Sequence, residues 1–210
     1  MDDVLGMIAA ERRGIADLVS SLTPAQLATP SLCGDWTVRD VAGHLIAPLA
    51  GGSLALRYLV RSGFRLHTAN ARLARHMGAR PPAEIAAVLR DKAEHPFRPP
   101  IVGFAGQLTD LQVHGQDMRR PLGLPHALEP SRLLVSLRFL VSGRAPGFVP
   151  KRGRIEGLRF ETTDLDWTSG DGPPVRGPAE AVLLAICGRP AALQDLTGDG
   201  VALLRERISA

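Results

Sequence analysis

The chain has 210 residues, of which 45% are hydrophobic and 22% are charged. This is enough to bury a core in one large domain or in two small ones. The basic residues behind the net charge of +4 form only short clusters such as Arg12-Arg13. Such clusters lack the length and the interleaved aromatic residues of nucleic-acid surfaces, so the composition argues against nucleic-acid partners.

The first part of the chain shows two helical patterns. Apolar residues recur at helical spacing over residues 3–22, which predicts an amphipathic first helix. Thr37-Val-Arg-Asp40 is typical of an N-cap with an acidic residue three positions later, and it predicts a second helix that runs through His44. Pro48 lies inside this pattern and cannot donate a hydrogen bond to the His44 carbonyl, so we expect a kink there.

Further helices are predicted over residues 54–77, with a break near Gly63, and over 83–95, 106–120 and 130–142. The helix over 106–120 carries an apolar stripe with a polar stripe beside it, and we expect the polar stripe to border the core. The polar stripe consists of Gln107, Asp110, His114 and Asp117.

The character of the sequence changes after Gly143, where short strands and helices replace the longer helices. The predicted elements are strands over 159–163 and 174–176, a turn over 169–172 between them, and helices over 179–187 and 201–208. We therefore predict a mainly α protein with a helical domain over residues 1–145 and a small α+β domain over 146–210.

The two cysteines, Cys33 and Cys187, are far apart in sequence. Such spacing fits neither a disulfide scaffold nor a Cys-x-x-Cys metal site, and we interpret Cys33 as a structural thiol. The acidic N-terminus does not look like a signal peptide, and Pro48 and Arg57 interrupt the longest apolar run, residues 45–59. We expect a cytoplasmic protein without membrane contact, as a monomer or a homodimer.

Histidine and carboxylate side chains mark one candidate site. Asp110 and His114 are four residues apart, so on a helix they lie one turn apart on the same face. If the two helices pack together, His44 completes a three-ligand set of the kind that catalytic metal sites use. The spacing alone is also typical of an exposed ion pair or of a packed, hydrogen-bonded histidine. Asp40 and Asp117 are nearby carboxylates that would orient an imidazole.

Two segments resemble the mycothiol-dependent maleylpyruvate isomerase family, within the DinB-like metal-binding bundles. They are Trp36-Thr-Val-Arg-Asp-Val-Ala-Gly-His44-Leu and Asp110-x-x-x-His114-Gly-x-Asp117. The C-terminal part, from Asp164-Leu-Asp-Trp167 to Leu196-Thr-Gly-Asp199, is similar to the family's small C-terminal domain. The resemblance covers nearly the whole chain.

The resemblance implies a DinB-like four-helix bundle followed by a small, sterol-carrier-like α+β domain. It also implies a divalent metal, usually zinc, held by a histidine of the second helix and a Glu-x-x-x-His pair. In this chain those positions are His44, Asp110 and His114. Asp110 departs from the family's glutamate and is one methylene shorter, so it would bind directly if the helices approach closely, or otherwise through water.

The family's chemistry implies a metal-dependent enzyme that uses mycothiol, a small thiol of actinobacteria, on a small electrophile. An open metal position would turn the thiol into a nucleophilic thiolate. Addition of the thiolate then leads either to isomerisation of the electrophile or to thiol transfer. The metal ligands are common to both outcomes and do not distinguish them.

Arg189, in the Gly188-Arg189-Pro190 turn, is our candidate for holding an acidic ligand at the domain junction, since its planar fork suits carboxylates. The alternative is a surface arginine that caps a helix. The departure at Asp110 also leaves a second class of function open, a non-catalytic module that binds metal or lipid. A basic DNA-binding regulator is a third class, and the short cationic clusters disfavour it.

Overall fold

The computed structural model describes residues 2–125, 127–149 and 153–209. Over these ranges the protein is mainly helical, as predicted, with a small β-sheet near the C-terminus. The helices are α1 (Asp2–Ser21), α2 (Pro24–Leu27), α3 (Val38–Ile46), α4 (Gly52–Arg61), α5 (Leu66–Gly78), α6 (Pro82–Asp91), α7 (Gly103–Arg119), α8 (Pro130–Val141), α9 (Ala179–Ile186) and α10 (Gly200–Ser209). The strands are β1 (Arg159–Thr162), β2 (Thr168–Ser169) and β3 (Pro174–Gly177). Short 3-10 helices cover Ala47–Ala50, Arg120–Leu122 and Pro190–Asp195.

The chain packs into two compact units that share one helix. The first unit takes in residues 1–97 and 114–126, and the second takes in 98–113 and 127–210. Helix α7 is continuous through the division, so it contributes its first part to the second unit and its last part to the first. The domain boundary after residue 145 stays a prediction. Among the described residues, no helix is both long enough and apolar enough to cross a membrane.

In the first unit, α3 packs closely against α5. A Cβ atom on Gly43 would lie 2.2 Å from the carbonyl oxygen of Ala74, and one on Gly78 would lie 2.6 Å from the carbonyl oxygen of Arg39. The two backbones therefore approach at a distance that only glycine permits at these positions. Because Gly43 directly precedes His44, this contact determines where α3 holds the histidine.

Helices α1 and α6 also pack together in this unit, and a buried arginine joins them. Arg12 is 1% exposed and donates from Nη1 to the carbonyl oxygens of Lys92, Ala93 and His95, at 2.8, 2.8 and 2.9 Å. These carbonyls follow the end of α6 at Asp91, four residues before the predicted end of the helix. Burial lowers the pKa of Arg12 to about 10.

The second helix ends near the position where the sequence predicted a kink. Helix α3 stops at Ile46, and a 3-10 helix with Pro48 in its first turn continues the chain. The Ala47 amide donates to the carbonyls of Gly43 and His44, so the missing donor at Pro48 leaves neither carbonyl without a partner. The predicted break near Gly63 is present between α4 and α5, where Gly63 and Phe64 both have a φ of 60°.

The second unit is built on a mixed sheet with strand order β2-β1-β3. Strand β1 pairs antiparallel with β2 and parallel with β3. The prediction from sequence missed β2, whose Ser169 was assigned to a turn, because two residues are too short to show an alternating pattern. Helix α9 packs on the sheet and on α8 with every residue buried, and it forms the centre of an apolar core that includes Trp167.

Candidate metal centre

The first turn of α3 places His44. Thr37 is the N-cap, and its Oγ1 accepts a hydrogen bond from the Asp40 amide at 3.3 Å. Asp40 Oδ2 in turn accepts from the Thr37 amide and hydroxyl, at 3.0 and 2.8 Å. The carboxylate that the sequence offered for orienting His44 therefore caps its own helix. It fixes the start of α3 two turns before the histidine.

A closed loop precedes α3 and carries Cys33 and Trp36. The Ser31 amide donates to the Trp36 carbonyl at 2.9 Å, and the Trp36 amide donates to the Cys33 carbonyl at 3.1 Å. The Leu32 amide donates to the Asp117 carbonyl at 3.1 Å, which ties the loop to α7. These backbone bonds hold both side chains close to the last turns of α7.

Three aromatic rings meet beside this loop. The ring centroids of His44 and His114 are 4.8 Å apart with an interplanar angle of 75°. The Trp36 ring lies 5.2 Å from the ring of His44 and 6.3 Å from that of His114. The two histidines that the sequence singled out are therefore neighbours in the first unit, with an indole against both of them.

Asp117 orients the His114 ring. His114 Nδ1 and Asp117 Oδ2 are 2.9 Å apart, and the Asp117 side chain is 0% exposed. A carboxylate is an acceptor only, so this hydrogen bond places a proton on Nδ1, and in a neutral ring Nε2 is then the nitrogen that carries the lone pair. This is the arrangement of histidines that bind metals and have a carboxylate behind them.

Asp110 lies one turn before His114 on α7. One ligand atom from each of His44, Asp110 and His114 lies within 4.8 Å of the other two. Their role as ligands stays a prediction.

A second donor group uses the same histidine. One ligand atom from each of Cys33, His114 and Asp117 also lies within 4.8 Å of the others. His114 and Asp117 are buried and Cys33 is half-buried. Neither cysteine of the chain is in a disulfide. His114 therefore belongs to two groups of candidate ligands.

More polar side chains of helix α7 are buried than the sequence predicted. The polar stripe was expected to border the core, yet most polar side chains in the middle of the helix are buried. Arg119, one turn past Gly115, is half-buried, and desolvation lowers its pKa while the charge of Glu11 opposes the change. The buried polar side chains are Gln107, Thr109, Gln112, His114, Gln116 and Asp117.

Arg189 lies in the second unit, between α9 and the 3-10 helix Pro190–Asp195. Its Nη1 donates to the Cys187 carbonyl at 2.9 Å, just past the end of α9. Burial lowers the pKa of neighbouring Arg154, Cys187 opposes this, and the charge of Arg189 lowers it further. The structure thus shows a contact of Arg189 with the end of a helix. The contact of Arg189 with an acidic ligand stays a prediction.

The interpretation of the sequence assigned two residues near the histidines, Trp36 and Cys33, no place in the candidate site. Trp36 had a usable signal, because it directly precedes the N-cap Thr37, where an apolar residue commonly packs on the first turns of a helix. Cys33 had none. Its approach to α7 depends on the bond between the Leu32 amide and the Asp117 carbonyl, which joins segments distant in the chain.

Comparison with known proteins gives one match, in the first part of the chain. Residues 8–98 match the family model of the mycothiol maleylpyruvate isomerase N-terminal domain. That stretch contains Trp36 and His44 and ends before α7 begins. No curated protein sequence and no solved structure matches the chain. Over residues 8–98, the chain is therefore similar to the N-terminal domain of mycothiol maleylpyruvate isomerase.

Proposed function

We propose that this protein is a divalent-metal-dependent enzyme in which His44, Asp110 and His114 hold the metal and a small thiol, mycothiol, is cofactor or co-substrate. The observation that carries the proposal is the convergence of two imidazoles and one carboxylate within 4.8 Å. The family match over residues 8–98 supplies the link to mycothiol. Catalytic metal sites characteristically have three protein ligands and one open position.

The donor set fits zinc. Two imidazole nitrogens and one carboxylate oxygen are among the commonest ligand sets of catalytic zinc. Asp110 is half-buried, one turn from His114, and its short side chain leaves both direct binding and binding through water available. A metal held here would lower the pKa of a bound thiol and so supply a thiolate at neutral pH.

The protein's own residues prepare this chemistry. Asp117 holds a proton on Nδ1 of His114, so Nε2 would be the nitrogen that binds the metal. Trp36 is 7% exposed and covers one side of both imidazoles, which limits the access of water. Arg189 would hold an acidic group of the electrophile through its guanidinium. The electrophile then leaves as an isomer or as a thiol adduct.

Metal content tests the proposal first. We expect the purified protein to bind close to one equivalent of zinc, and His44→Ala to lose that binding. His67→Ala is the matched control, because His67 is exposed on α5 and should leave the metal content unchanged. A wild-type protein that binds no divalent metal, or a His44→Ala protein that keeps its metal, contradicts the ligand assignment.

Thiol consumption tests the reaction. The zinc-loaded protein is incubated with mycothiol and a panel of small electrophiles, and both the thiol and the product are measured. Turnover without net loss of thiol indicates isomerisation, whereas stoichiometric loss indicates transfer. Absence of turnover across the panel, together with normal zinc binding, would favour the non-catalytic alternative.

That alternative has one structural observation in its favour. The second unit contains an apolar cavity of about 850 Å³, with Arg144 and Arg154 at its wall. Its apolar wall includes Ile101, Leu140, Val141, Val149 and Ile155. Such a cavity suits an apolar ligand, and its wall carries charges of both signs, from the two arginines and from Glu156. Thermal-shift measurements separate the functions: stabilisation by zinc with mycothiol supports the enzyme, and stabilisation only by fatty acids or other lipids supports a binding module.

A further inference from the structure

Exposed apolar side chains are concentrated at one place in the first unit. Among the residues that the structure describes, the large apolar side chains that are more than half exposed are Ile101 and four that lie between residues 56 and 66. These four form the α4 patch: Leu56 at 58%, Val60 at 54%, Phe64 at 69% and Leu66 at 75% exposed. Such a concentration of exposed apolar residues is typical of an interaction site.

The α4 patch belongs to an ordered part of the unit. Helix α4 packs against α5, yet no residue of α4 is buried. After the helix, the Gly63 amide donates to the Val60 carbonyl at 3.0 Å and the Phe64 amide donates to the Leu59 carbonyl at 2.9 Å. This pair of hydrogen bonds is the Schellman pattern of a helix end. It fixes the backbone of Phe64 against the last turn of α4.

Neither the backbone nor burial explains a phenylalanine at position 64. Within the described residues, Phe64 is the one non-glycine with a positive φ, 60°, where any Cβ atom is sterically unfavourable. Its side chain is also mostly in water, so it gains little from contacts within the chain. A contact outside the chain gives the aromatic side chain a role that its own turn does not.

A row of arginines runs beside the α4 patch. Each of the first three patch residues is followed directly by an exposed arginine, and these are Arg57, Arg61 and Arg65. Residues four apart on a helix share a face, so Arg57 and Arg61 form a cationic stripe next to the apolar stripe of α4. Among the described residues, the structure shows no acidic partner for these three arginines.

The charge around the α4 patch is of one sign. No acidic residue occurs in the sequence between Asp40 and Glu84, and this stretch contains six arginines, more than the net charge of +4 of the whole chain. Arg75 of this stretch pairs with Asp35 at the surface. A second copy of the chain would bring like charges together at the patch, so charge disfavours self-association there. The complementary partner is anionic and accepts apolar side chains.

We propose that the α4 patch binds the surface of a membrane that contains anionic lipids. The apolar side chains enter the boundary between headgroups and acyl chains, and Arg57, Arg61 and Arg65 contact the lipid phosphates. A helix with leucine and phenylalanine on one face and arginines beside them is typical of such interfacial binding. Arginine side chains reach the headgroups while their stems lie on apolar surface.

A lipid surface fits the arginine row better than an acidic protein does. Headgroup phosphates are mobile and occur all over the surface, whereas a protein must place its carboxylates at matching positions. Helix α4 buries no residue, so its length is available to a flat surface. An interfacial helix crosses no bilayer, so this contact is compatible with the interrupted apolar run behind the expectation of no membrane contact. The proposal does not depend on the metal centre.

Co-sedimentation with vesicles tests the proposal. The full chain is mixed with vesicles of phosphatidylcholine alone or of equal parts phosphatidylcholine and phosphatidylglycerol, and the bound fraction is measured at low and high salt. We expect binding to the anionic vesicles that weakens as salt rises, because salt screens the arginines from the phosphates. Absence of binding to the anionic vesicles at low salt, or equal binding to both kinds of vesicle, overturns the proposal.

Phe64→Gly separates membrane binding from stability. Glycine adopts a φ of 60° without strain, so the melting temperature should stay the same or rise. Binding to the anionic vesicles should fall at least about tenfold, because the aromatic side chain is lost. Ile101→Gly is the matched control, since Ile101 is 79% exposed but lies in the second unit, and its binding should be unchanged. Lower stability with unchanged binding in Phe64→Gly overturns the proposal.

Arg61→Gln tests the cationic stripe. We expect binding to the anionic vesicles to fall about fivefold, the effect typical of one arginine near an anionic surface. Arg138→Gln is the control, since Arg138 is also exposed but lies on α8 in the second unit. Equal losses in the two variants would mean that net charge, and not the α4 patch, attracts the protein, and would overturn the proposal.

Two further measurements distinguish the other occupants. Binding to a soluble acidic peptide such as polyglutamate, without binding to anionic vesicles, would indicate an acidic protein partner and overturn the proposal. A dimer in sedimentation velocity that dissociates in Phe64→Gly would indicate a second copy on the α4 patch and overturn it as well. Phe64→Trp reports insertion directly: we expect its fluorescence emission to shift to the blue with anionic vesicles, and that of Ile101→Trp to stay unchanged. No shift in Phe64→Trp when the protein is vesicle-bound overturns the assignment of the patch.

Discussion

Helices α7 and α9 are both buried on nearly every side, and their compositions are opposite. Helix α9 is apolar apart from Glu180, whereas α7 buries amides, a hydroxyl, an imidazole and a carboxylate. A buried apolar side chain stabilises a fold by about 1.5–3 kcal/mol, while a buried polar group without a partner costs about 1–3 kcal/mol. Helix α9 thus contributes to stability, and α7 retains polarity that stability alone would not select.

Truncating the apolar helix should have the largest effect on stability. Leu184 is fully buried in the core of the second unit, so Leu184→Ala removes apolar contacts and leaves a cavity. We expect a loss of about 2–5 kcal/mol in the free energy of unfolding, measured by urea denaturation. Zinc affinity of the protein that remains folded should be unchanged.

The exposed leucine Leu56 provides the control, because 58% of its surface is already in water. Leu56→Ala should change the free energy of unfolding by less than about 0.5 kcal/mol. A similar loss in both variants would contradict the assignment of α9 as the stabilising element.

Changing the polar helix should instead affect the metal. Asp117→Asn replaces the carboxylate that orients His114 with an amide of the same shape. We expect zinc affinity to fall about 10- to 100-fold, measured by competition with a chromophoric chelator. The reason is that an uncharged amide holds the imidazole ring less firmly and no longer raises the basicity of its metal-binding nitrogen. Asp35→Asn is the control, since Asp35 pairs with Arg75 at the surface. Equal affinities in wild type and Asp117→Asn would remove Asp117 from the centre.

Two glutamines of α7 sharpen the comparison further. Within the part of the chain that the structure describes, neither side-chain amide atom of Gln116 has a hydrogen-bond partner, although the residue is fully buried. Gln116→Leu should therefore raise the free energy of unfolding by about 1–2 kcal/mol, measured by urea denaturation, because an apolar group replaces unsatisfied polar atoms.

Gln112 differs in one atom: its Nε2 also has no partner among the described residues, but its Oε1 accepts a hydrogen bond from Ser136 Oγ at 2.6 Å. Gln112→Leu leaves that buried hydroxyl without this acceptor, so we expect no gain in stability, or a loss of about 1 kcal/mol. If Gln112→Leu stabilised the protein as much as Gln116→Leu, the hydrogen bond between Gln112 and Ser136 would contribute nothing measurable to stability. The comparison of the two glutamines would then be wrong.

The elements of the fold with strong local signals were predictable from the sequence. The Thr37–Asp40 capping box marked the start of α3, and the apolar run of α9 marked a buried helix. Helix ends were harder, because Pro48 ended α3 where a kink was equally consistent with the pattern. A strand of two residues, such as β2, carries no periodic signal at all.

The candidate site was predictable only in part. His44 and the Asp110–His114 pair stood out by residue type and spacing, but their proximity depends on tertiary packing. That packing includes the close approach of Gly43 to Ala74, which no local pattern reveals. Cys33 reaches the site through a backbone hydrogen bond of Leu32, which is equally invisible in the sequence.

The smallest expected effect is spectroscopic and compares the two tryptophans of the chain. Trp36 lies 5.2 Å from the His44 ring, whereas Trp167 lies in the apolar core of the second unit. Metal binding at the histidines changes the charge beside Trp36 only, so zinc titration should shift or quench its fluorescence emission. Trp36→Phe should abolish the response and Trp167→Phe should preserve it. A response carried by Trp167 would mean that the metal binds outside the histidine pair.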